Sequence, residues 1–323
     1  MTIYDVAKRA GVSIATVSRV INGSDLVTEK TRIKVEGVMN EIGYRPNIFA
    51  RGLVTDTVKT IGAVSVDIRD SYYSESVYEI NNEMRRMGYG VVITNCSAAD
   101  RDLKRELGFM LDRRVDGIIL VGSVFSDEAY LDVIKCVAES VPVMMINAKV
   151  SAENVYCTVC DDEGGTYSLM EEIHKSGRKK PLYVYDVYSG STREKIKGYK
   201  KAVKSFFNCE EEVAVMEDAE CDNIIEKVKK DGFDCVVFSN DFLAAEFAVK
   251  AKNCGICVPS QVGIAGYNDL RFAKITSPAL STVNGRASEV AKEGCCRLIA
   301  AIEGGRIQKI KVLEPTVVIR ESF

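Results

Sequence analysis

Residues 2–23 read TIYDVAKRAGVSIATVSRVING, and the punctuation of this stretch decides how the chain begins to fold. Thr2, followed three residues later by Asp5, resembles a capping box with Asp in place of Glu, which would satisfy amides that a first helical turn leaves unpaired. The helix it opens carries Val6, Ala7 and Ala10 on one side, and Gly11 ends it in a tight turn. Ser13 caps a second helix, Ile14 to about Ile21, with Val17, Val20 and Ile21 at core spacing. Thr28 caps a third over residues 29–42, where Ile33, Val35, Val38, Met39 and Ile42 are available for the core and Gly43 follows the end. Three short helices thus share one small core.

Two helices joined by a short Gly-containing turn form a helix-turn-helix unit, whose second helix enters the DNA major groove by its N-terminal end. That end is Ser13, Ile14, Ala15 and Thr16, with Ser18 and Arg19 one turn later. Arg19 is the natural base reader, because its fork can donate two hydrogen bonds to guanine, roughly 1–3 kcal/mol of discrimination. Ile14 and Ala15 offer apolar contact, for example to a thymine methyl, while Thr16, Ser18 and the exposed amides suit phosphate. Thr2, Asn22 and Tyr44 are further candidates for this face. A three-helix module that binds protein is the competing reading of the helical pattern alone.

Charge separates this segment from the rest. Residues 1–60 hold nine Lys and Arg against six acids, whereas the remainder holds 34 against 40, within a net charge of −3. A basic head on an acidic body suits a phosphate-binding module whose body does not adhere to DNA. At 323 residues the chain has room for a small module and two further lobes. Composition is that of a soluble protein, 46% hydrophobic and 28% charged, with no apolar run near the roughly 20 residues a membrane span requires. The start lacks the basic-then-apolar layout of a secretory signal, so a cytoplasmic location and no membrane partner are expected. Eleven cysteines, an odd number, favour reduced thiols. Two pairs have CxxC spacing, Cys157/Cys160 and Cys254/Cys257. On the strand expected there, Cys157 and Cys160 face opposite sides, which favours small core residues over a metal or redox site.

The run TIYDVAKRAGVSIATVSRVING, followed by TRIKV and IGYRPNIFARGL, resembles the headpiece of the LacI–GalR family of bacterial repressors, with its greatest likeness to the catabolite control protein branch. The resemblance covers essentially the whole chain, through SND (239–241), VPSQVGIAGYND (258–269) and SPALSTV (277–283). It implies a hinge helix at the end of the headpiece, pairing with its dimer mate in the minor groove. Leu53 matches the family's wedge leucine, and Asn47, Ala50 and Arg51 lie on or near the groove-facing side. Asn47 to Val54 is short for an independent helix, so it should fold only when something stabilises it. An apolar wedge between base pairs costs a few kcal/mol of unstacking and bends the duplex. A plain interdomain linker is the alternative for this segment.

From Ile61 onward apolar runs alternate with amphipathic helices. IGAVSV, GVVITN, GIILVG and VPVMMIN come first; after a crossing near residues 155–161, PLYVYD, VAVME, CVVFS and VGIAG resume the rhythm. Strands alternating with helices give parallel sheets, and two series give two doubly wound lobes. The expected fold is therefore an α-helical helix-turn-helix headpiece plus an α/β sensor of two parallel-sheet lobes, resembling periplasmic sugar-binding proteins. Its domains would be 1–46 for DNA binding, 47–60 for the hinge helix and linker, and 61–323 for effector binding and dimerisation. Lobe one would take about 61–160 plus 286–323, and lobe two about 161–285, the C-terminal helix and strands returning to lobe one as in the family.

Ligands in such sheets bind beyond the carboxyl ends of the strands. Tyr72 and Tyr73 follow the first strand and could stack on a sugar or base. Asn147, Asp161/Asp162, Asn240/Asp241 and Asn268/Asp269 lie where strands end or cross, and Arg193 and Lys195 open the helix after PLYVYD. The family motifs assign effector contact to Asn268, Lys195 and Asn147 first, then to Tyr72, Tyr73, Asp161 and Asn240, with Arg193 beside them. Asp241 and Asp269 read instead as helix caps. At Lys195 the family typically has arginine, and lysine cannot supply its bidentate clamp. The resemblance implies a homodimer, or a tetramer, on palindromic double-stranded operator DNA. It implies a small effector such as a sugar or sugar derivative, or a protein coregulator, and no cofactor. A sugar-transport protein is disfavoured by the headpiece. An enzyme is disfavoured because His174 has no triad and no nucleotide loop follows a strand.

Overall fold

Capping chemistry is visible at once in the first helix of the computed structural model, which describes residues 1–21, 23–45, 57–96, 102–216 and 221–323. The Thr2 amide donates to Asp5 Oδ2 at 2.8 Å, and these hydrogen bonds hold the Asp5 carboxyl below the usual range. Helix α1 spans Ile3–Ala10 and closes on Gly11, whose φ of 61° is the left-handed turn that glycine adopts without strain. Helix α2 spans Ile14–Ile21, and Ser13 Oγ accepts from the Thr16 amide at 3.1 Å. Helix α3 spans Glu29–Glu41. Thr28 precedes it, but its hydroxyl pairs with that of Thr31 at 3.0 Å and caps no amide. Val6, Ala7, Ala10, Val17, Val20, Val35 and Ile42 form the buried core, with Ile21, Val38 and Met39 packed against it. Ile33, an expected core position, is 62% exposed, because Val35 and Ile42 already define the inward side of α3.

Two compact units divide the described chain, residues 1–58 and 59–323. The second contains two six-stranded sheets. Strands β1 (Thr60–Ser65), β2 (Gly90–Asn95), β3 (Gly117–Val121), β4 (Val143–Ile146) and β5 (Val155–Cys160) belong to the first. Strands β6 (Pro181–Tyr185), β7 (Val213–Val215), β8 (Cys235–Phe238), β9 (Gly263–Tyr267) and β10 (Ser281–Asn284) belong to the second. With β11 (Ile310–Leu313) and β12 (Thr316–Val318), the orders are β11-β5-β4-β3-β1-β2 and β12-β10-β9-β8-β6-β7. All pairs are parallel except β10 with β12. Central β3 and β8 are buried throughout, as sheets covered by helices on both faces require.

The C-terminal stretch does not return to one lobe. Helix Ala287–Ile302 packs on the first sheet and β11 joins it, but Glu314-Pro315 breaks the strand, so β12 pairs with the second sheet, antiparallel to β10. The tail stays there: the Ile264 amide donates to the Ser322 carbonyl at 2.7 Å, and the Ser281 amide to Ser322 Oγ at 2.8 Å. Residues 316–323 therefore belong with lobe two. Cys157 and Cys160 are both buried, in core clusters on opposite faces of the first sheet. Among the described residues no helix is long and apolar enough to cross a membrane.

Candidate functional site

The N-terminal turn of α2 is presented to solvent. Ser13, Ile14 and Ala15 are exposed, and Thr16 is half-buried with its hydroxyl 2.9 Å from that of Ser13. Arg19 is exposed, and no hydrogen bond or ion pair holds its guanidinium among the described residues. Its fork is thus available in a rigid helical frame that Val17 and Val20 anchor to the core. Thr2 is exposed, but its amide and hydroxyl are committed to Asp5. Ser18 is half-buried, and Tyr44 packs partly against the headpiece core. Asn22, Asn47, Ala50, Arg51 and Leu53, and with them the hinge segment over 46–56, lie outside the described residues.

In the second unit, strand order reverses between β1 and β3 and again between β6 and β8. Loops leaving strands on either side of such a reversal diverge and leave a crevice. Both crevices open into one cleft of about 280 Å³ between the sheets. Tyr72 and Tyr73 enter it from helix α4 (Ser71–Arg86), which follows β1, their rings edge-to-face at 5.6 Å. Gly122, after β3, has φ 133°, and a Cβ there would lie 2.9 Å from the Tyr73 ring. Asn147 (φ 58°) and Asn268 (φ 104°) turn the chain sharply after β4 and β9 and also line the cleft.

Lys195 rises from the helix Gly190–Phe206 and is buried. Its Nζ donates to the Ser239 carbonyl at 2.9 Å and sits 3.8 Å from the Tyr267 ring centroid. Burial pulls its pKa down, opposed by Asp162, Asp186 and Asp241. Asp186 Oδ1 accepts from the Val187 amide at 2.7 Å, and its Oδ2 accepts from Asn240 Nδ2 at 3.1 Å. Asp241 accepts from the Thr282 hydroxyl at 2.6 Å and the Leu270 amide at 2.8 Å. Burial pushes its carboxyl up to about 7.

Six expected effector residues therefore converge: Tyr72, Tyr73, Asn147, Lys195, Asn240 and Asn268. Arg193 lines a smaller adjoining pocket of about 130 Å³, together with Lys149, Glu194 and Asp162. Asp161 lines neither; its side chain caps helix Asp162–Lys175, accepting from the Gly164 amide at 3.0 Å. The cap assignments are also redistributed. Asn240, not Asp241, caps Asp241–Asn253, while Asp269 pairs with Arg320 at 2.5 Å. The sequence reading missed Asp70, Asp186, Ser123 and Ser189 in the cleft wall. Their signal was position alone, since each follows a strand.

A family model described as "Bacterial regulatory proteins, lacI family" matches residues 2–47, and one described as "Periplasmic binding protein-like domain" matches residues 171–323. An HTH-type transcriptional regulator of Lachnoclostridium phytofermentans is 35% identical over 334 residues, covering 100% of this chain and 99% of the relative. The chain belongs to the LacI family of bacterial regulatory proteins. Catabolite control protein A of Priestia megaterium is 31% identical, covering 88% of this chain and 87% of that protein. The lac repressor dimer bound to operator and the anti-inducer ONPF superposes with a TM-score of 0.87 at 23% identity, covering 100% of this chain and 98% of that one. This LacI-family member is a DNA-binding transcriptional regulator, and the relatives named here are regulators, not enzymes.

Proposed function

We propose that this regulator is a homodimeric repressor whose two headpieces read an imperfect palindrome through the major groove, with affinity set by a small hydroxylated effector in the interlobe cleft. The effector would be a sugar or sugar derivative. The observation that carries the reading is the pairing of an exposed Arg19 on α2, unengaged among the described residues, with a polar, aromatic-walled cleft at the switch points of both sheets. Tyr72 or Tyr73 supplies an apolar face for a ring, and Asn147 and Asn268 supply amides for its hydroxyls. Three chain segments join the lobes, after β5, after β10 and between β11 and β12. Ligand-driven rotation about them changes the spacing of the two hinge segments at residues 47–60, so those helices form or melt. The regulator works in the cytoplasm, where its DNA is.

Selection from a pool of random duplexes tests the DNA half. A two-fold symmetric sequence with half-sites about one helical turn apart is expected, with binding that weakens steeply as salt rises. Recovery of no symmetric sequence would remove the dimeric operator reading.

A further inference from the structure

We propose that the cleft is closed to anions: its effector carries no phosphate or carboxylate, and gains affinity when an ammonium replaces one of its hydroxyls. This rests on the cleft being the effector site.

The first ground is the state of the helix ends. Carboxyl edges of parallel sheets gather helix N-termini, whose unpaired amides ordinarily hold phosphate or carboxylate. Three helices of more than eight residues, Ser71–Arg86, Gly190–Phe206 and Asp241–Asn253, start at this cleft, and each is capped by a side chain of its own; the five-residue helix Arg271–Ile275 also starts there, without a side-chain cap. Asp70 accepts from the Tyr72 amide at 2.7 Å. Ser189 accepts from the Thr192 amide at 3.3 Å and Asn240 from the Leu243 amide at 2.9 Å. One of the three caps, Asp70, is a carboxylate, so that helix end brings negative charge to the cleft.

The second ground is Lys195, the one cation lining the main chamber among the described residues. Lys195 is committed to the Ser239 carbonyl and the Tyr267 ring face, and Asp162, Asp186 and Asp241 supply the negative field around it. Its charge is already balanced by the protein. Asp70 and Asp186, by contrast, both line the chamber and retain acceptor capacity beyond the bonds from Tyr72 to the one and from Val187, Ser239 and Asn240 to the other, since a carboxylate offers about four lone-pair sites. An ammonium beside either gains a favourable contact; a phosphate meets like charge in a partly desolvated space. Lys149 and Arg193 line the adjoining pocket, Arg193 also reaching a second small pocket beside the cleft; Glu194 lies 3.8 Å from Lys149 and Asp162 shares the adjoining pocket, so that pocket is balanced too.

The test uses the full-length chain and matched series built on several neutral hexoses and disaccharides. Each parent is compared with its amino, phosphate and uronate analogues by thermal shift and calorimetry, with inorganic phosphate as a free-anion probe. The amino analogue of a binding parent is expected to bind about tenfold more tightly, and the phosphate and uronate weaker by on the order of a hundredfold. Inorganic phosphate should give no shift at millimolar concentration. In Asp70→Asn/Asp186→Asn the amine advantage should vanish and the anion penalty shrink. A phosphate or uronate that outbinds its parent, or a phosphate shift abolished by Lys195→Met or Arg193→Ala, overturns this inference alone. A chain stabilised by no member of the series overturns the sugar-effector reading and this inference with it, leaving the DNA selection to stand or fall separately.

Discussion

Arg19→Ala is expected to reduce the preference for operator over scrambled duplex by about a hundredfold or more, while leaving most nonspecific binding in place. A bidentate arginine–guanine pair is worth roughly 1–3 kcal/mol, and a two-headed protein loses two of them. Nonspecific affinity rests on many phosphate contacts, of which the variant removes one charge per headpiece at most. Arg19 lies in the last turn of α2, where a cation would also complement the helix dipole, so a purely structural role has to be separated. Arg19→Lys does this. It keeps the charge at the helix end and loses the fork, and operator preference should fall nearly as far as with alanine. Anisotropy titrations of both duplexes at matched salt read the ratio directly. Undiminished discrimination in Arg19→Ala would remove it as a base reader.

The second large effect is expected at Asp241, which is 1% exposed. Asp241→Ala leaves the Leu270 amide and the Thr282 hydroxyl without acceptors, at about 1–3 kcal/mol each, so a loss of about 3 kcal/mol or more is expected by urea denaturation. Gly266 makes room for this carboxylate: a Cβ there would lie 2.3 Å from Asp241 Oδ1. Asp241→Asn is the informative partner, since its oxygen can still accept from Leu270 and its amide can face Thr282. Burial raises the folded carboxyl from 3.8 to about 7, so between those values the folded chain binds more protons than the unfolded one. Stability contributed by this group therefore falls as pH rises through that window. The wild-type chain should lose about 2–3 kcal/mol more than Asp241→Asn between pH 5 and pH 8. Parallel pH profiles would show that Asp241 is ionised in the fold throughout.

The headpiece was legible because short helices must declare their ends, and the Thr2/Asp5 pair, Gly11 and Ser13 do so between residues 2 and 13. The parallel sheets were legible because strands buried on both faces, such as GIILV at 117–121, admit almost nothing but apolar residues. What stayed hidden has two physical sources. A short polar residue after a strand serves equally as a helix cap or as part of a ligand wall, and nothing local says which way the side chain turns. Asn240 does both, accepting from Leu243 with Oδ1 and reaching Asp186 with Nδ2, whereas Asp161, another expected effector contact, turns its carboxylate to the Gly164 amide. Long-range pairing is the other source. Val317 reads as a strand residue in either sheet, and only the break at Glu314-Pro315 and the facing edge of β10 decide that it opposes Val283. Lys195 was placed at the cleft by the family motif alone: nothing in the local run EKIKGYK says that the packed strand ends enclose it.

The most direct test of a ligand-controlled DNA reader is the coupling itself. Operator affinity is measured with and without a ligand that stabilises the chain, and the ligand's affinity is then measured with and without saturating operator. Two sites joined through one set of lobe positions must shift each other by the same factor, expected at about 5–150-fold. Operator affinity that does not move under saturation of the cleft would contradict the account.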